Sequence, residues 1–234
     1  GDAYGRCVLT GNTPDGNVVT TAEHALALMF AVARKIPQAS ASMRAGAWEK
    51  TKFQGRELFG KTIGIIGLGN IGRIVADRAR GLRMRVIATD PWVTPRKGQE
   101  LGVEMVDLDT LLATADVVTL HVPAVDWTKG ILSAANVAKL KKGAILINAA
   151  RGGLVDERAV AEAVRSGQLY GAAFDVFAEE PLAKDSPLLG VDNIVLTPHL
   201  GASTDEAQDI VAVMVAEQVV EYFRTGKARN VVNP

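Results

Sequence analysis

From residue 60 onward, short runs of Val, Ile, Leu and Ala recur at 62–66, 84–89, 116–121, 144–148, 171–175 and 193–197. The runs are apolar throughout instead of alternating with polar positions, which is the pattern of strands buried on both faces. The segments between them are long enough for crossover helices, so the chain predicts a parallel sheet in a doubly wound α/β fold. The two ends follow another rule. Residues 20–34 carry Ala, Leu, Met and Phe around most of a helical circumference and predict a helix buried on several sides, with a second chain as one candidate cover. Residues 35–59 set Pro37, Trp48 and Phe53 among polar neighbours and read as an arm; an exposed Trp and Phe there predict a subunit interface. Near the other end, Ser203 with Glu206 three residues later predicts a capping box, opening a helix that runs to about Phe223. The expected organisation is one domain over 1–234, with a helix and arm at 20–59, a core at 60–200 and a closing helix at 203–224.

Composition narrows the partners. With 234 residues, 48% of them hydrophobic, and 26 basic against 26 acidic side chains, the chain can bury a sizeable core and carries no formal net charge. That excludes the basic stripe of a nucleic-acid binder and favours a small-molecule partner. No apolar run reaches membrane-spanning length, so no membrane is expected. The single cysteine, Cys7, and the lack of a charged n-region with an apolar core predict a cytoplasmic setting. Three His and one Cys spread along the chain predict no metal site, and Ser133, Ser166, Ser186 and Ser203 lie in no nucleophile-elbow context.

The chemistry begins after the first run. Gly67, Gly69 and Gly72 follow 62–66 and precede a helical run at 71–80. Alone, the spacing G-x-G-x-x-G is a weak signal; between strand and helix it fits a tight turn, a close backbone approach to a pyrophosphate, and helix packed on strand. The helix N-terminus then offers free N–H groups and partial positive charge to phosphate. The next run ends at Asp90, where a carboxylate can hold both ribose hydroxyls of an adenosine and repel a 2′-phosphate, so the expected cofactor is NAD and the fold a Rossmann domain. The plainer reading of Asp90 is a turn residue before Pro91.

Ligands of open α/β sheets sit beyond the carboxyl ends of the strands. There the chain places His121, Val122 and Pro123; Ala149, Ala150 and Arg151; Asp175, Glu179 and Glu180; and His199 with Gly201. A dehydrogenase for an acid needs an Arg to hold the carboxylate, a base for the hydroxyl proton and a group to orient that base. Arg151, His199 and Glu180 can fill these roles, since a carboxylate beside an imidazole favours its protonated form. Glu179 is a substitute for Glu180, and His121 reads as a crevice or backbone partner before it reads as the base. Arg151 as a capping group, His199 as a satisfied buried histidine and Glu180 as a solvated turn residue are the structural rivals.

Four stretches, the loop through Gly67 and Arg73, the segment from Asn148 to Asp156, the segment from Phe174 to Pro181 and the segment from Thr197 to Thr204, together resemble the NAD-dependent D-2-hydroxyacid dehydrogenases. The stretches around His24, 36–49 and 199–208 look most like the branch that oxidises 3-phosphoglycerate to 3-phosphohydroxypyruvate in serine synthesis. The resemblance implies that Arg151 binds the substrate carboxylate, His199 is the acid/base and Glu180 orients it. It also implies that Asp175 contacts the nicotinamide carboxamide and that 20–59 forms a homodimer. The residues then expected around the cofactor are Gly67, Gly69, Asn70, Ile71, Gly72, Asp90, His121, Val122, Pro123, Ala149, Arg151, Asp175, His199 and Gly201. Family members also carry a substrate domain, and some a regulatory extension; neither is expected within 1–234. Another D-2-hydroxyacid dehydrogenase, such as a glyoxylate/hydroxypyruvate reductase, and a non-catalytic NAD-responsive interaction module are the competing functions.

Overall fold

The computed structural model describes residues 10–232. Cys7 and the terminal Asn233 and Pro234 lie outside the described residues. Seven strands form one parallel sheet: β1 (Thr62–Ile66), β2 (Arg85–Thr89), β3 (Glu104–Met105), β4 (Val117–Leu120), β5 (Ala144–Asn148), β6 (Leu169–Phe174) and β7 (Ile194–Leu196). Their order is β3-β2-β1-β4-β5-β6-β7, so the winding reverses between β1 and β4 and leaves a crevice beyond their carboxyl ends.

The uniform apolarity of the runs has a direct cause in the layers. On one face Ile63, Ile65, Val86, Ala88, Ile145 and Ile147 pack with α1 (Val18–Arg34) and α3 (Asn70–Gly81). On the other, Ile66, Ile87, Val118, Leu120, Leu146 and Phe174 meet α5 (Leu108–Thr114), α6 (Ala134–Val137) and α7 (Glu157–Arg165). Successive side chains point to opposite faces, and both faces are covered, so neither register tolerates polarity. Each fully buried side chain of this size contributes roughly 1.5–3 kcal/mol.

Several boundaries differ from the sequence reading. The helix α1 begins at Val18 and buries one face, Ala22, Ala25, Leu28, Met29, Val32 and Ala33, while Val19 and Phe30 are exposed. Its apolar positions at three- and four-residue spacing define a single stripe, not burial on several sides. The arm at 35–59 contains a helix, α2 (Ile36–Arg44), with Pro37 in its first turn and no buried residue. A helix with no buried stripe leaves no periodic signal to read. Trp48 and Phe59 are exposed there, and Phe53 is half-buried. Strand β3 pairs only two residues with β2 and carries Glu104, so no apolar run announces it. The short helix α4 (Pro95–Glu100) precedes it.

The closing helix, α8 (Asp205–Thr225), is capped by Thr204 and not by Ser203: the Thr204 hydroxyl accepts the Ala207 N–H. The third helical residue is therefore Ala207, and the capping box built on Glu206 is absent. Ala207 is the buried residue of α8, whose Val213, Val220 and Phe223 face solvent. No helix among the described residues is long and apolar enough to cross a membrane.

Candidate active site

The glycine loop is tied sideways to both neighbouring strands. Gly67 N–H donates to Thr89 O at 3.0 Å, and His121 N–H donates to Ile66 O at 2.7 Å. Gly67 turns at φ +95°, and a Cβ there would stand 2.6 Å from the His121 carbonyl oxygen. A Cβ on Gly72 would collide with the Gly67 carbonyl, so helix and loop lie in direct contact. Beside Gly69, by contrast, nothing lies within 4 Å. Gly69 is also the N-cap of α3, and no side chain caps that helix. The helices α4, α5, α6, α7 and α8 each receive a side-chain cap, from Thr94, Asp107, Ser133, Asp156 and Thr204. The first N–H groups of α3, at Asn70, Ile71 and Gly72, thus have no side-chain acceptor, and the space beside Gly69 is open. The Asn70 amide donates to Asp15 Oδ1 at 2.9 Å.

Asp90 makes the turn contact that the plainer reading expects and also reaches the glycine loop. Its Oδ1 accepts Trp92 N–H at 2.8 Å, a turn within its own segment, and its Oδ2 accepts Leu68 N–H at 2.7 Å. The carboxylate therefore sits against the glycine loop, with lone pairs left for further donors. Trp92 beside it is exposed.

His121 is half-buried, with Val122 half-buried and Pro123 exposed next to it. Its Nε2 lies 3.0 Å from Thr119 Oγ1, and its Nδ1 is buried without a partner. Burial pushes its pKa down to about 4, so the ring is neutral at physiological pH and is not suited to exchanging protons there. The sign for stability follows. The folded pKa lies below the unfolded value, so His121 is no burden above about pH 6.5, and it destabilises the fold progressively as pH falls toward 4. At pH 5 the expected cost is at most about 2 kcal/mol. The difference in urea midpoint between pH 7 and pH 5 should therefore be smaller in His121→Gln than in the unmodified chain.

Beyond β5, β6 and β7 a hydrogen-bonded ladder joins the other polar residues. Asn148 ends β5; its Oδ1 accepts Ala150 N–H at 3.2 Å and its amide donates to Arg151 O at 3.0 Å. Asp175 N–H donates to Asn148 O at 2.9 Å, and His199 N–H donates to Asp175 O at 2.9 Å. One backbone line thus runs from the Arg151 segment to the His199 segment. Arg151 is exposed, with Nη1 on its neighbour's carbonyl, Ala150 O, at 2.6 Å; Ala149 is buried beneath.

His199 Nδ1 lies 2.8 Å from Glu180 Oε2, with the imidazole 54% exposed. Glu180 Oε1 accepts Phe177 N–H at 3.0 Å. The hydrogen bond from His199, followed by that from Phe177, holds the Glu180 carboxyl below its usual range, so it is ionised at neutral pH. Glu180, and not the exposed Glu179, is the carboxylate that meets His199. With Nδ1 engaged, Nε2 is the nitrogen left to face a substrate.

Asp175 lies beneath this pair. Its side chain is 1% exposed, and its carboxylate accepts from His24 Nε2, Thr197 Oγ1 and the N–H groups of Leu200 and Gly201. Burial opposes its charge, but the hydrogen bonds from His24, Thr197 and Leu200 outweigh that and hold its carboxyl below the usual range. His24, Thr21 and Thr197 escaped the sequence reading. His24 and Thr21 lie within a helical pattern 151 and 180 residues from their partners, and nothing local distinguishes them.

The profile described as D-isomer specific 2-hydroxyacid dehydrogenase, NAD binding domain, matches residues 26–201. A D-3-phosphoglycerate dehydrogenase of Archaeoglobus fulgidus is 50% identical over 228 residues, 97% of this chain and 43% of that protein. The chain thus spans less than half the length of the curated relatives it matches. Among solved structures, the TT0316 protein from Thermus thermophilus superposes with a TM-score of 0.89 at 37% identity, covering 98% of this chain and 73% of that one. A D-lactate dehydrogenase from Aquifex aeolicus, solved with NAD and lactic acid, superposes with a TM-score of 0.87 at 27% identity, covering 100% of this chain and 75% of that one. The switch-point crevice, the uncapped helix and the histidine-carboxylate pair accordingly have a common setting: the chain belongs to the D-isomer specific 2-hydroxyacid dehydrogenases, matching their NAD-binding domain.

Proposed function

We propose that this chain is the cofactor-binding domain of an NAD-dependent enzyme that oxidises 3-phosphoglycerate to 3-phosphohydroxypyruvate, a first step toward serine. The observation that carries the reading is the His199–Glu180 pair at 2.8 Å, linked by the Asn148–Asp175 backbone ladder to Arg151. Identity of about half to curated phosphoglycerate dehydrogenases favours this substrate over other 2-hydroxy acids.

Bound NAD supplies a hydride acceptor. Its pyrophosphate would be held by the N–H groups at the start of α3, and its adenosine ribose would meet Asp90. His121, Val122 and Pro123 would line the crevice between them. Arg151 orients the substrate through a bidentate pair with its carboxylate. His199 takes the hydroxyl proton on Nε2, while Glu180 holds the ring by Nδ1 and stabilises the imidazolium that results. Asp175 supports the His199 segment; a carboxamide contact would have to use Oδ2, which already takes Gly201 N–H. The exposed Ile36, Met43, Trp48 and Phe59 support a homodimer through 20–59, and a cytoplasmic setting belongs to the same reading.

Two measurements test it. Calorimetric titration of the chain should show NADH binding and much weaker NADPH binding, because Asp90 repels a 2′-phosphate. Turnover by the full-length protein should favour 3-phosphoglycerate over glycerate and lactate. Equal rates on phosphorylated and unphosphorylated acids would remove the substrate assignment and leave only a D-2-hydroxyacid dehydrogenase.

A further inference from the structure

The proposed chemistry uses His199, Glu180 and Arg151, and leaves His24 unexplained. Its Nε2 lies 3.0 Å from Asp175 Oδ1 and 3.2 Å from Thr197 Oγ1, and its side chain is 18% exposed. The carboxylate is ionised and only accepts, so Nε2 carries a proton. We propose that His24 is a positioning residue that, through Asp175, anchors the segment carrying His199 to helix α1. The inference rests on the reading of His199 as the acid/base.

That segment needs an anchor. His199 sits at φ +56°, the left-handed region that L residues other than glycine adopt only under strain. Asp175 meets the segment four times: its carbonyl takes His199 N–H at 2.9 Å, Oδ1 takes the Thr197 hydroxyl and, at 2.8 Å, Leu200 N–H, and Oδ2 takes Gly201 N–H at 2.8 Å. Helix α1 grips the same place directly, since Thr21 Oγ1 donates to Gly201 O at 3.1 Å. Thr21 and His24 lie three residues apart and so share one face of α1.

The donors to the carboxylate differ in what they are attached to. Thr197 Oγ1, Leu200 N–H and Gly201 N–H all belong to the segment itself and would travel with it. His24 is the donor fixed elsewhere, on a 17-residue helix whose apolar stripe is packed on the sheet. Removing it leaves the carboxylate bonded to the segment but detached from α1, and deprives a nearly buried charge of one partner. The Thr21 hydroxyl would then be left to tie the segment to α1, and the imidazole of His199 would be held less firmly relative to a substrate.

The test uses His24→Leu and His24→Gln. The amide nitrogen of Gln extends about as far as Nε2 of His and donates, so it should preserve the link; the Leu side chain cannot. In this chain, H24L should speed hydrogen exchange at the Leu200 and Gly201 amides by about tenfold or more, leave β1 and β5 protected, and be rescued by H24Q. In the full-length protein, H24L should lower kcat by about tenfold to a hundredfold while KM for NAD stays within about twofold, again with recovery in H24Q. Should H24L fail to fold, seen as lost protection in β1, His24→Asn gives the same comparison, because its shorter amide falls short of Asp175. Unchanged exchange at both amides, or equal losses in the Gln variant, overturns the proposal. If the unmodified full-length protein oxidises no 2-hydroxy acid, the functional reading falls, whereas the exchange comparison still decides whether His24 anchors the segment.

Discussion

In the full-length protein, His199→Ala should lower kcat by about 10²–10⁴ while NADH binds with nearly unchanged affinity. The size of the effect comes from the loss of proton transfer, and the selectivity comes from position. The imidazole stands beyond β7 with Glu180 on Nδ1, while the N–H groups expected to hold the pyrophosphate open the helix after β1. Calorimetry with NADH alongside steady-state rates separates the two quantities. Turnover within a few-fold of the unmodified enzyme would end the assignment of His199 as the acid/base. Because alanine tolerates the left-handed backbone no better than histidine, lost activity would not reflect relief of strain at φ +56°.

The second large effect belongs to Arg151. Arg151→Met should reduce kcat/KM by about 10²–10³, in line with the roughly 2–5 kcal/mol lost when one partner of a desolvated charge pair is truncated. One guanidinium nitrogen is occupied by Ala150 O, which leaves the rest of the fork for a carboxylate, and Asn148 fixes the segment from below through Arg151 O. Arg151→Lys should recover only part of the loss, since an ammonium is a point charge and does not reproduce two parallel hydrogen bonds. A Lys variant as active as the parent would argue against bidentate recognition. NADH affinity should barely change in either variant.

The legible parts of this protein were those in which one physical demand acts on neighbouring residues. Burial on both faces made β1, β2, β4, β5, β6 and β7 continuous apolar runs, and the rule that ligands gather at carboxyl ends then pointed to Arg151, Glu180 and His199 from the residues that follow them. Where that demand is missing, the sequence is silent. Strand β3 lies at the sheet edge with two paired residues, and α2 buries nothing, so neither shows a period. The cap of α8 was misplaced by one residue because Ser203 and Thr204 are both good caps, and only the path of the backbone selects Thr204. The stretch around His24 carried part of the resemblance, but the role of His24 could not be read for a deeper reason. Its role is set by Asp175, which folding brings to it from across the chain, and its local pattern is that of any amphipathic helix.

The missing cap on α3 has an energetic consequence. Its neighbours α4 to α8 complete their first turns with their own hydroxyls and carboxylates, so those helices are finished by the sequence. A pyrophosphate bound at the start of α3, as in the proposed function, would complete that first turn and join the structure of the domain as well as its chemistry. Such binding would add to the stability of the domain in proportion to the free nicotinamide nucleotide, because anything that binds the native state alone shifts the folding equilibrium toward it.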